Sequence, residues 1–246
     1  MRSFSERPRL FINDQGNRNN ISGIRATIFG ATGFMGPFIG SALGYISSDV
    51  IFPHCHRYPY DDEVKELKLC ANLGQSFIVK HMNFDDLKMI DRVIASSNVV
   101  INLVGPRKNI RKMKDYEYAN IEIPRRIAAA CKKNPNILRF IHFSAAGASA
   151  DSPSMDLSTK FHGEEAVREE FPEATIFRPT TVYGFNDYFV RLILTQRDFL
   201  YNMNVVTDDC SAKRQPIYVQ DVAFAVLNAL KLHETRGKTF ELGKNN

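Results

Sequence analysis

Short apolar runs recur along the chain, each followed by a longer stretch whose apolar residues are spaced as on one face of a helix. The predicted strands cover residues 24–29, 50–53, 76–79, 98–104, 139–144 and 174–179. The predicted helices begin near residue 36 and at about 61–73, 87–95, 116–133, 158–171 and 187–200, with a last one running to about 232. This alternation is typical of an α/β protein with a doubly wound parallel sheet. The run at 98–104 is apolar almost throughout, which indicates a central strand buried on both faces.

Three glycines join the first predicted strand to the first predicted helix, in the stretch from Ile24 to Gly36. Gly30 permits a sharp turn off the strand, Gly33 permits the backbone to approach a pyrophosphate, and Gly36 lets the helix pack closely on the sheet. The phosphates would lie against the N–H groups and the positive dipole end of that helix. The strand before the turn and the amphipathic helix after it favour a dinucleotide-binding Rossmann fold over a turn with a purely structural role.

The second predicted strand indicates which dinucleotide the chain would bind. An NAD site has a carboxylate about 20 residues beyond the glycines, which accepts hydrogen bonds from the ribose hydroxyls. Nothing acidic lies between Val50 and Tyr60, whereas His54, His56 and Arg57 offer the donors that a 2′-phosphate requires. We therefore expect NADP(H) rather than NAD(H), although Arg57 is equally placed to be a solvent-facing loop residue.

Three further candidate residues follow the third, fourth and fifth strands, at the edge where open α/β sheets bind ligands. Two roles are open for the turn after the third strand: Asn83 is positioned to contact an adenine edge, and Asp86 is positioned to cap the next helix. Gly105 marks the end of the central strand, and Ser144 ends the fifth strand beside the same crevice.

The domain organisation follows from these elements. We expect an extended N-terminal arm over residues 1–20 and a single dinucleotide-binding domain over residues 21–246, with a small portion at about 185–215 over the crevice. The arm lacks the apolar run of a secretory signal, and both a mitochondrial transit peptide and a mature polar arm remain open.

Composition and charge limit the kinds of partner, compartment and metal site that this chain is expected to have. The net charge of +5 is modest, and the basic residues cluster at 107–114 and 213–214. These clusters are either solvated faces or docking sites for an acidic partner or anionic lipid headgroups, and no nucleic-acid module surrounds them. No run approaches the roughly 20 apolar residues of a membrane span. The four scattered cysteines indicate a reducing compartment. Because alternate strand residues point to opposite faces, the His54–His56 run predicts no metal site.

The order of these phrases resembles the atypical extended short-chain dehydrogenase/reductases. The phrases are ATIFGATGFMG, NVVINLVG, RFIHFSAAG, a lysine, RPTTVYG and PIYVQDVA. More narrowly, residues 22–24, 72–75, 97–103, 171–174 and 215–219 resemble the 39-kilodalton accessory-subunit family of mitochondrial respiratory complex I. The resemblance runs from about Ser22 to Gly243. That family carries a further C-terminal region, so we expect either a shorter lineage or a second polypeptide that supplies its contacts.

The resemblance also implies the residues that line a cofactor. Gly30, Gly33 and Gly36 would hold the pyrophosphate together with the other residues of the turn. Leu103, Val104 and Gly105 would flank the adenosine. Ser144, Lys160 and Pro179 would lie along the nicotinamide half. With the groups proposed above, the implied cofactor-binding set is Gly30, Ala31, Thr32, Gly33, Phe34, Met35, Gly36, His54, Arg57, Asn83, Leu103, Val104, Gly105, Ser144, Lys160, Pro179 and Val182.

The catalytic pattern of the superfamily is broken. Its active members use a Tyr-x-x-x-Lys pair on one helical face, in which Tyr transfers the proton and Lys lowers the pKa of that Tyr and holds the ribose. Lys160 lies where that lysine belongs, but Asp156 precedes it by four residues, and no tyrosine of this chain has a lysine four residues later. A carboxyl with an unperturbed pKa of about 4 is ionised at neutral pH and is a poor proton donor. Burial would raise that pKa, but a neighbouring Lys160 would lower it again.

The resulting hypothesis is a non-catalytic accessory subunit of complex I that binds NADP(H), most simply NADPH, as a structural cofactor. The resemblance places it on the matrix side of the mitochondrial inner membrane, near the junction of the peripheral and membrane arms, with other subunits and lipid headgroups as contacts. The alternatives are a free NADP-dependent reductase or epimerase that uses Asp156, Ser144 or Tyr183, and a nucleotide-sensing regulator.

Overall fold

The computed structural model describes residues 20–55, 62–70, 75–106, 112–199 and 215–243, without the side chains of residues 62, 63, 192, 193 and 196–199. Several predicted features lie outside the described residues: residues 1–19 of the predicted arm, His56 and Arg57, most of the first basic cluster, the whole of the second and part of the predicted portion over the crevice.

Nine strands and eight α-helices are found in the described residues. The strands are β1 Arg25–Phe29, β2 Asp49–Pro53, β3 Ser76–Val79, β4 Val99–Asn102, β5 Arg139–Phe143, β6 Thr175–Pro179, β7 Val182–Tyr183, β8 Ile217–Tyr218 and β9 Thr239–Leu242. The helices are α1 Gly36–Tyr45, α2 Asp62–Leu69, α3 Leu87–Ile94, α4 Met113–Glu117, α5 Ile123–Lys133, α6 Met155–Glu170, α7 Tyr188–Phe199 and α8 Val219–Lys231. A π-helix, Tyr118–Glu122, joins α4 to α5, and a 3₁₀ turn, His233–Thr235, follows α8.

Seven strands form one sheet in the order β3-β2-β1-β4-β5-β6-β9, and every neighbouring pair is parallel. The doubly wound parallel sheet predicted from the sequence is therefore confirmed. The edge strand β9 was not predicted, because four residues, three half-buried and one exposed, carry little periodicity. β7 and β8 form a separate parallel pair beside the carboxyl end of β6.

The sheet is buried on both faces, and its strands alternate between two cores. Ile28 and Ile101 face the core shared with α1 and α8, whereas Phe29 and Val100 face the core shared with α3 and α5. This alternation follows from the two-residue repeat of a strand. It explains why the strands are apolar almost throughout, as the sequence of β4 suggested.

The helix predicted at 116–133 contains a break. Pro124 lies in the first turn of α5 and has no N–H to donate to the carbonyl oxygen of Asn120. The backbone instead widens by one residue, and the Ile123 N–H bonds to the Tyr118 carbonyl. π-helices of this kind occur frequently at functional sites.

Candidate functional site

The glycine turn is held by backbone contacts. Gly30 has a φ of +76°, and a Cβ there would lie 2.8 Å from the carbonyl carbon and oxygen of Leu103. A Cβ on Gly36 would lie 1.9 Å from the carbonyl oxygen of Ala31. Both glycines are therefore required by close approach, the first to the end of β4 and the second to the turn itself. Gly36 packs against the turn rather than against the sheet, which refines the role predicted for it.

A cavity of about 1430 Å³ opens over the carboxyl ends of β1, β2 and β4. Ten of the residues predicted to bind a cofactor line it, namely Gly30, Thr32, Gly33, Phe34, His54, Asn83, Leu103, Val104, Gly105 and Val182. Ala31, Met35 and Gly36 belong to the same turn but do not line the wall, and neither do Ser144, Lys160 and Pro179. The sheet edge thus gathers in one cavity residues that are more than 150 positions apart.

The side of this cavity near β2 and β3 is rigidly built. His54 is buried, its backbone N–H donates to the Val79 carbonyl at 2.9 Å, and its carbonyl accepts from Met82 N at 2.9 Å. Asn83 Oδ1 accepts a bond from the Asp85 N–H at 3.0 Å, which orients the Asn83 amide. Asp86 Oδ1 accepts from Met89 N at 3.2 Å. The capping role of Asp86, one of the two predicted, is therefore confirmed.

An ionic cluster ties this loop to the π-helix. Arg126 Nη1 lies 2.5 Å from Asp85 Oδ1, and the Tyr118 hydroxyl donates to the same oxygen at 3.1 Å. The bond from Arg126, followed by that from Tyr118, lowers the pKa of Asp85. Burial and the bond to Asp85 raise the pKa of the Tyr118 phenol, which lines the cavity. The cluster connects the walls formed by the β3–α3 loop and by the π-helix.

A buried polar group lies beneath the other side of the crevice. Asn102 Nδ2 is 3.1 Å from His142 Nδ1, and Asn102 Oδ1 accepts from Val104 N at 3.1 Å. Burial and the positive charge of Lys160 lower the pKa of His142 to about 4. Ser144 Oγ is buried and has no hydrogen-bond partner among the described residues. A buried hydroxyl without a partner is a group that a bound ligand would satisfy.

The Asp156 and Lys160 side chains form an ion pair on one face of α6. Lys160 Nζ lies 2.9 Å from Asp156 Oδ2, and Asn120 Nδ2 donates to Asp156 Oδ1 at 3.1 Å. Asn120 also donates to Thr159 Oγ1 at 2.9 Å. Each carboxylate oxygen of Asp156 therefore has a donor. The spacing of four residues brings the two groups together as predicted.

Sequence reasoning missed several residues of this region. Asn120 was not singled out, because the π-helix that presents it depends on Pro124, four positions later. Glu66 on α2 lines the cavity, although the spacing rule for a carboxylate after β2 excluded acidic residues from Asp61 onward as too distant in sequence. Aromatic side chains at the mouth were also missed, namely Phe185, Tyr188 and Phe189. Helical spacing alone does not distinguish an aromatic residue at a cavity mouth from one in a core.

Two further observations concern membranes and metals. Within the described ranges, every helix falls short of the length and apolarity needed to cross a bilayer. In the same part of the chain, no group of three or more His, Cys, Asp or Glu side chains is placed to hold a metal ion.

Comparison with known proteins reveals relatives along most of the chain. This chain is 39% identical over 227 residues to a mouse (Mus musculus) protein, NADH dehydrogenase (ubiquinone) 1 alpha subcomplex subunit 9, mitochondrial. The aligned region covers 92% of this chain and 58% of that protein. The Arabidopsis thaliana protein of the same name is 40% identical over 233 residues, with coverage of 93% and 56%. The chain thus spans little more than half the length of these curated relatives.

A solved structure and a family model both match most of this chain. UDP-glucuronic acid 4-epimerase from Bacillus cereus, in complex with NAD, has a TM-score of 0.77 at 18% identity, over 91% of this chain and 79% of that one. Similarity at that identity establishes the fold. The NAD dependent epimerase/dehydratase family matches residues 26–243. Because this match spans nearly all of the described sheet and its helices, the chain belongs to the NAD dependent epimerase/dehydratase family.

Proposed function

We propose that this chain is the dinucleotide-binding part of an accessory subunit of mitochondrial complex I and that it binds NADP(H), most simply NADPH, as a structural cofactor without turning it over. The observation that carries the proposal is a complete glycine turn and cavity combined with a carboxylate, Asp156, in place of the expected proton donor. The names of the mouse and Arabidopsis relatives support the assignment to complex I.

The residues present fit a dinucleotide. Gly30 and Gly36 hold the first turn of α1 against the end of β4 and the Ala31 carbonyl, so the dipole of α1 points toward the cavity. The adenosine would lie between His54, Asn83 and the Leu103–Gly105 segment. The unpartnered Ser144 hydroxyl and the ammonium of Lys160 would face the nicotinamide half. When bound, the nicotinamide ring supplies the capacity for hydride transfer.

Asp156 occupies the position at which active members of the superfamily carry their proton-donating tyrosine. Reduction adds hydride to the carbonyl carbon and a proton to the carbonyl oxygen, whereas the Asp156 side chain is paired with Lys160 at 2.9 Å and accepts a bond from Asn120 at 3.1 Å. One of the N–H donors of Lys160 is already bonded to Asp156. This arrangement supports the proposal of binding without turnover.

A tightly bound dinucleotide would stabilise the fold, since a ligand that binds only the native state shifts the folding equilibrium by mass action. His54 and Arg57 are our candidates for binding the 2′-phosphate of NADP(H). The partners would be other complex I subunits near the junction of the two arms, with lipid headgroups nearby. The location would be the matrix face of the mitochondrial inner membrane.

The test is native purification from mitochondrial membranes, followed by denaturation and identification of the released nucleotide. NADP(H) close to one per chain, in a fraction that oxidises NADH with a quinone, would support the proposal. A chain recovered apart from the complex, which exchanges NADPH freely and consumes it with a carbonyl substrate, would overturn it. That second result would favour a free reductase or epimerase of the same family.

A further inference from the structure

The cavity wall holds a carboxylate beside the end of β2. Glu66 projects from α2, is exposed, and lines the cavity together with Ser41 of α1 and Pro53 and His54 at the end of β2. Asp115, on α4, and Arg191, on α7, are the other Asp, Glu, Lys or Arg side chains among the described wall residues. Glu66 is therefore the charged side chain of the described wall that belongs to the β2 side.

The position of Glu66 is determined by close packing of α1, β2 and α2. Cys70, directly after α2, joins the end of α2 to the first turn of α1, since its Sγ lies 3.4 Å from the Pro37 carbonyl oxygen. The same sulfur lies 3.5 Å from the Glu66 carbonyl oxygen within the last turn of α2. A Cβ on Gly40 would lie 2.8 Å from Phe52 Cζ and 3.3 Å from Cys70 Cβ. Leu67, next to Glu66, is completely buried. α2 cannot turn or slide without breaking these contacts.

The end of β2 is where Rossmann folds distinguish the two dinucleotides, because the adenosine ribose lies over it. A carboxylate there accepts hydrogen bonds from the 2′-hydroxyl of NAD(H) and repels the 2′-phosphate of NADP(H). The charge of Glu66 also acts locally, since it is one of the causes that raise the pKa of Cys70, after the larger effect of burial.

We propose that Glu66 is a specificity-determining residue that favours the 2′-hydroxyl of NAD(H) and weakens binding of NADP(H). The inference depends on the proposed dinucleotide site and deepens it. The proposed preference for NADP(H) then results from two opposing effects: Glu66 disfavours the 2′-phosphate, and the candidate phosphate-binding groups His54 and Arg57 favour it. The same carboxylate lets the site accept NAD(H).

The experiment measures the dissociation constants of NADH and NADPH for the full chain by titration calorimetry at low salt. The variants are Glu66→Gln and, as a control with the same change in charge on an exposed part of α6, Glu165→Gln. We expect Glu66→Gln to raise the affinity for NADPH relative to NADH by about tenfold, since a carboxylate and a phosphate a few ångströms apart repel even in water. Glu165→Gln should leave the ratio unchanged. The effect should shrink at high salt, where exposed charges are screened.

A second variant tests the sign. Glu66→Lys should raise the affinity for NADPH further and lower that for NADH. If wild type binds a dinucleotide and both Glu66 variants keep its affinity ratio, the inference is wrong while the proposed function stands. If wild type binds neither NADH nor NADPH, the proposed function is wrong and the inference falls with it. A circular dichroism spectrum of each variant establishes that the fold is retained.

Discussion

Gly30 and Gly36 are restricted to glycine by two different backbone neighbours. Gly30 combines a φ of +76° with a close approach to Leu103, and Gly36 faces the Ala31 carbonyl oxygen. Gly105 lies nearby at the end of β4, and a Cβ added there would meet nothing within 4 Å. The three glycines therefore offer a matched comparison within one site.

We expect Gly36→Ala to destabilise the fold by about 2 kcal/mol or more, because overpacking against backbone forces α1 away from the turn. Gly105→Ala should change stability by less than about 0.5 kcal/mol. Urea unfolding followed by circular dichroism measures both variants. Equal stabilities for the two would contradict the close contact between α1 and Ala31.

His142 makes stability depend on pH. Its pKa falls from 6.5 to about 4 on folding, because burial and Lys160 disfavour the charged ring. Below about pH 6.5 the unfolded chain binds a proton that the folded chain does not bind until about pH 4, so stability decreases as pH falls through this window. At 1.4 kcal/mol per pKa unit, the full loss is about 3 kcal/mol.

Replacement of the ring tests this assignment. His142→Gln should flatten the dependence of unfolding free energy on pH between 4 and 6.5, measured by urea titration across that range. His162→Gln is the control, because His162 is half exposed and pairs with Glu165 at 3.1 Å on the surface. A profile of the His142 variant that matches wild type would contradict the prediction.

At the scale of elements, α6 is joined to both of its neighbours by specific contacts. Arg178 of β6 makes two bonds to the buried Glu164 carboxylate, at 2.9 and 2.8 Å. On another side, a Cβ on Gly163 would lie 1.9 Å from the Asn120 carbonyl oxygen, whose α-helical partner would have been the N–H that Pro124 lacks. The π-helix therefore packs directly on the backbone of α6, and this contact brings Asn120 to Asp156.

Gly163→Ala should separate these two elements and lower stability by about 2–3 kcal/mol, since the clash involves backbone rather than a flexible side chain. It should also weaken NADPH binding, because Asn120 would no longer hold Asp156. Glu165→Ala, on an exposed position of the same helix, is the control for helix propensity. Thermal unfolding and calorimetric titration provide the two measurements. A variant with wild-type stability would show that the π-helix can move away from α6 without cost.

At the scale of the whole molecule, the cavity and the sheet depend on each other. The wall of the cavity is built largely from segments that follow separate strands. A ligand bound there therefore connects parts of the chain that are distant in sequence. Such a ligand should stabilise the entire domain. NADPH at 100 times its dissociation constant should add about 2.7 kcal/mol to the free energy of unfolding.

For a chain of this length, that gain corresponds to a rise in melting temperature of about 5–10 °C. Scanning calorimetry with increasing NADPH measures it, with sodium phosphate at equal ionic strength as the control. The rise should continue logarithmically with ligand concentration. A melting temperature that does not change with NADPH would contradict the proposed cofactor site.

Much of the fold could be predicted from local patterns. Five of the six predicted strands both begin and end within one residue of those observed, and the central strand at 98–104 contracts to Val99–Asn102. Strands buried on both faces leave continuous apolar runs, and the glycine turn leaves three glycines at regular spacing. β9 and the π-helix could not be predicted, because the first is short and the second results from an interaction between Pro124 and the helix backbone.

The sequence by itself determined the parallel α/β architecture, the glycine turn and the replacement of the expected tyrosine by Asp156, since each is a local pattern of residue types. Only the tertiary structure decided what surrounds Asp156 and what lies beside the end of β2. Asn120 reaches Asp156 through a π-helix 36 positions earlier, and Glu66 reaches the cavity because α2 packs against the first turn of α1. Contacts between elements depend on how their faces pack together, and the order of residues within each element does not encode them.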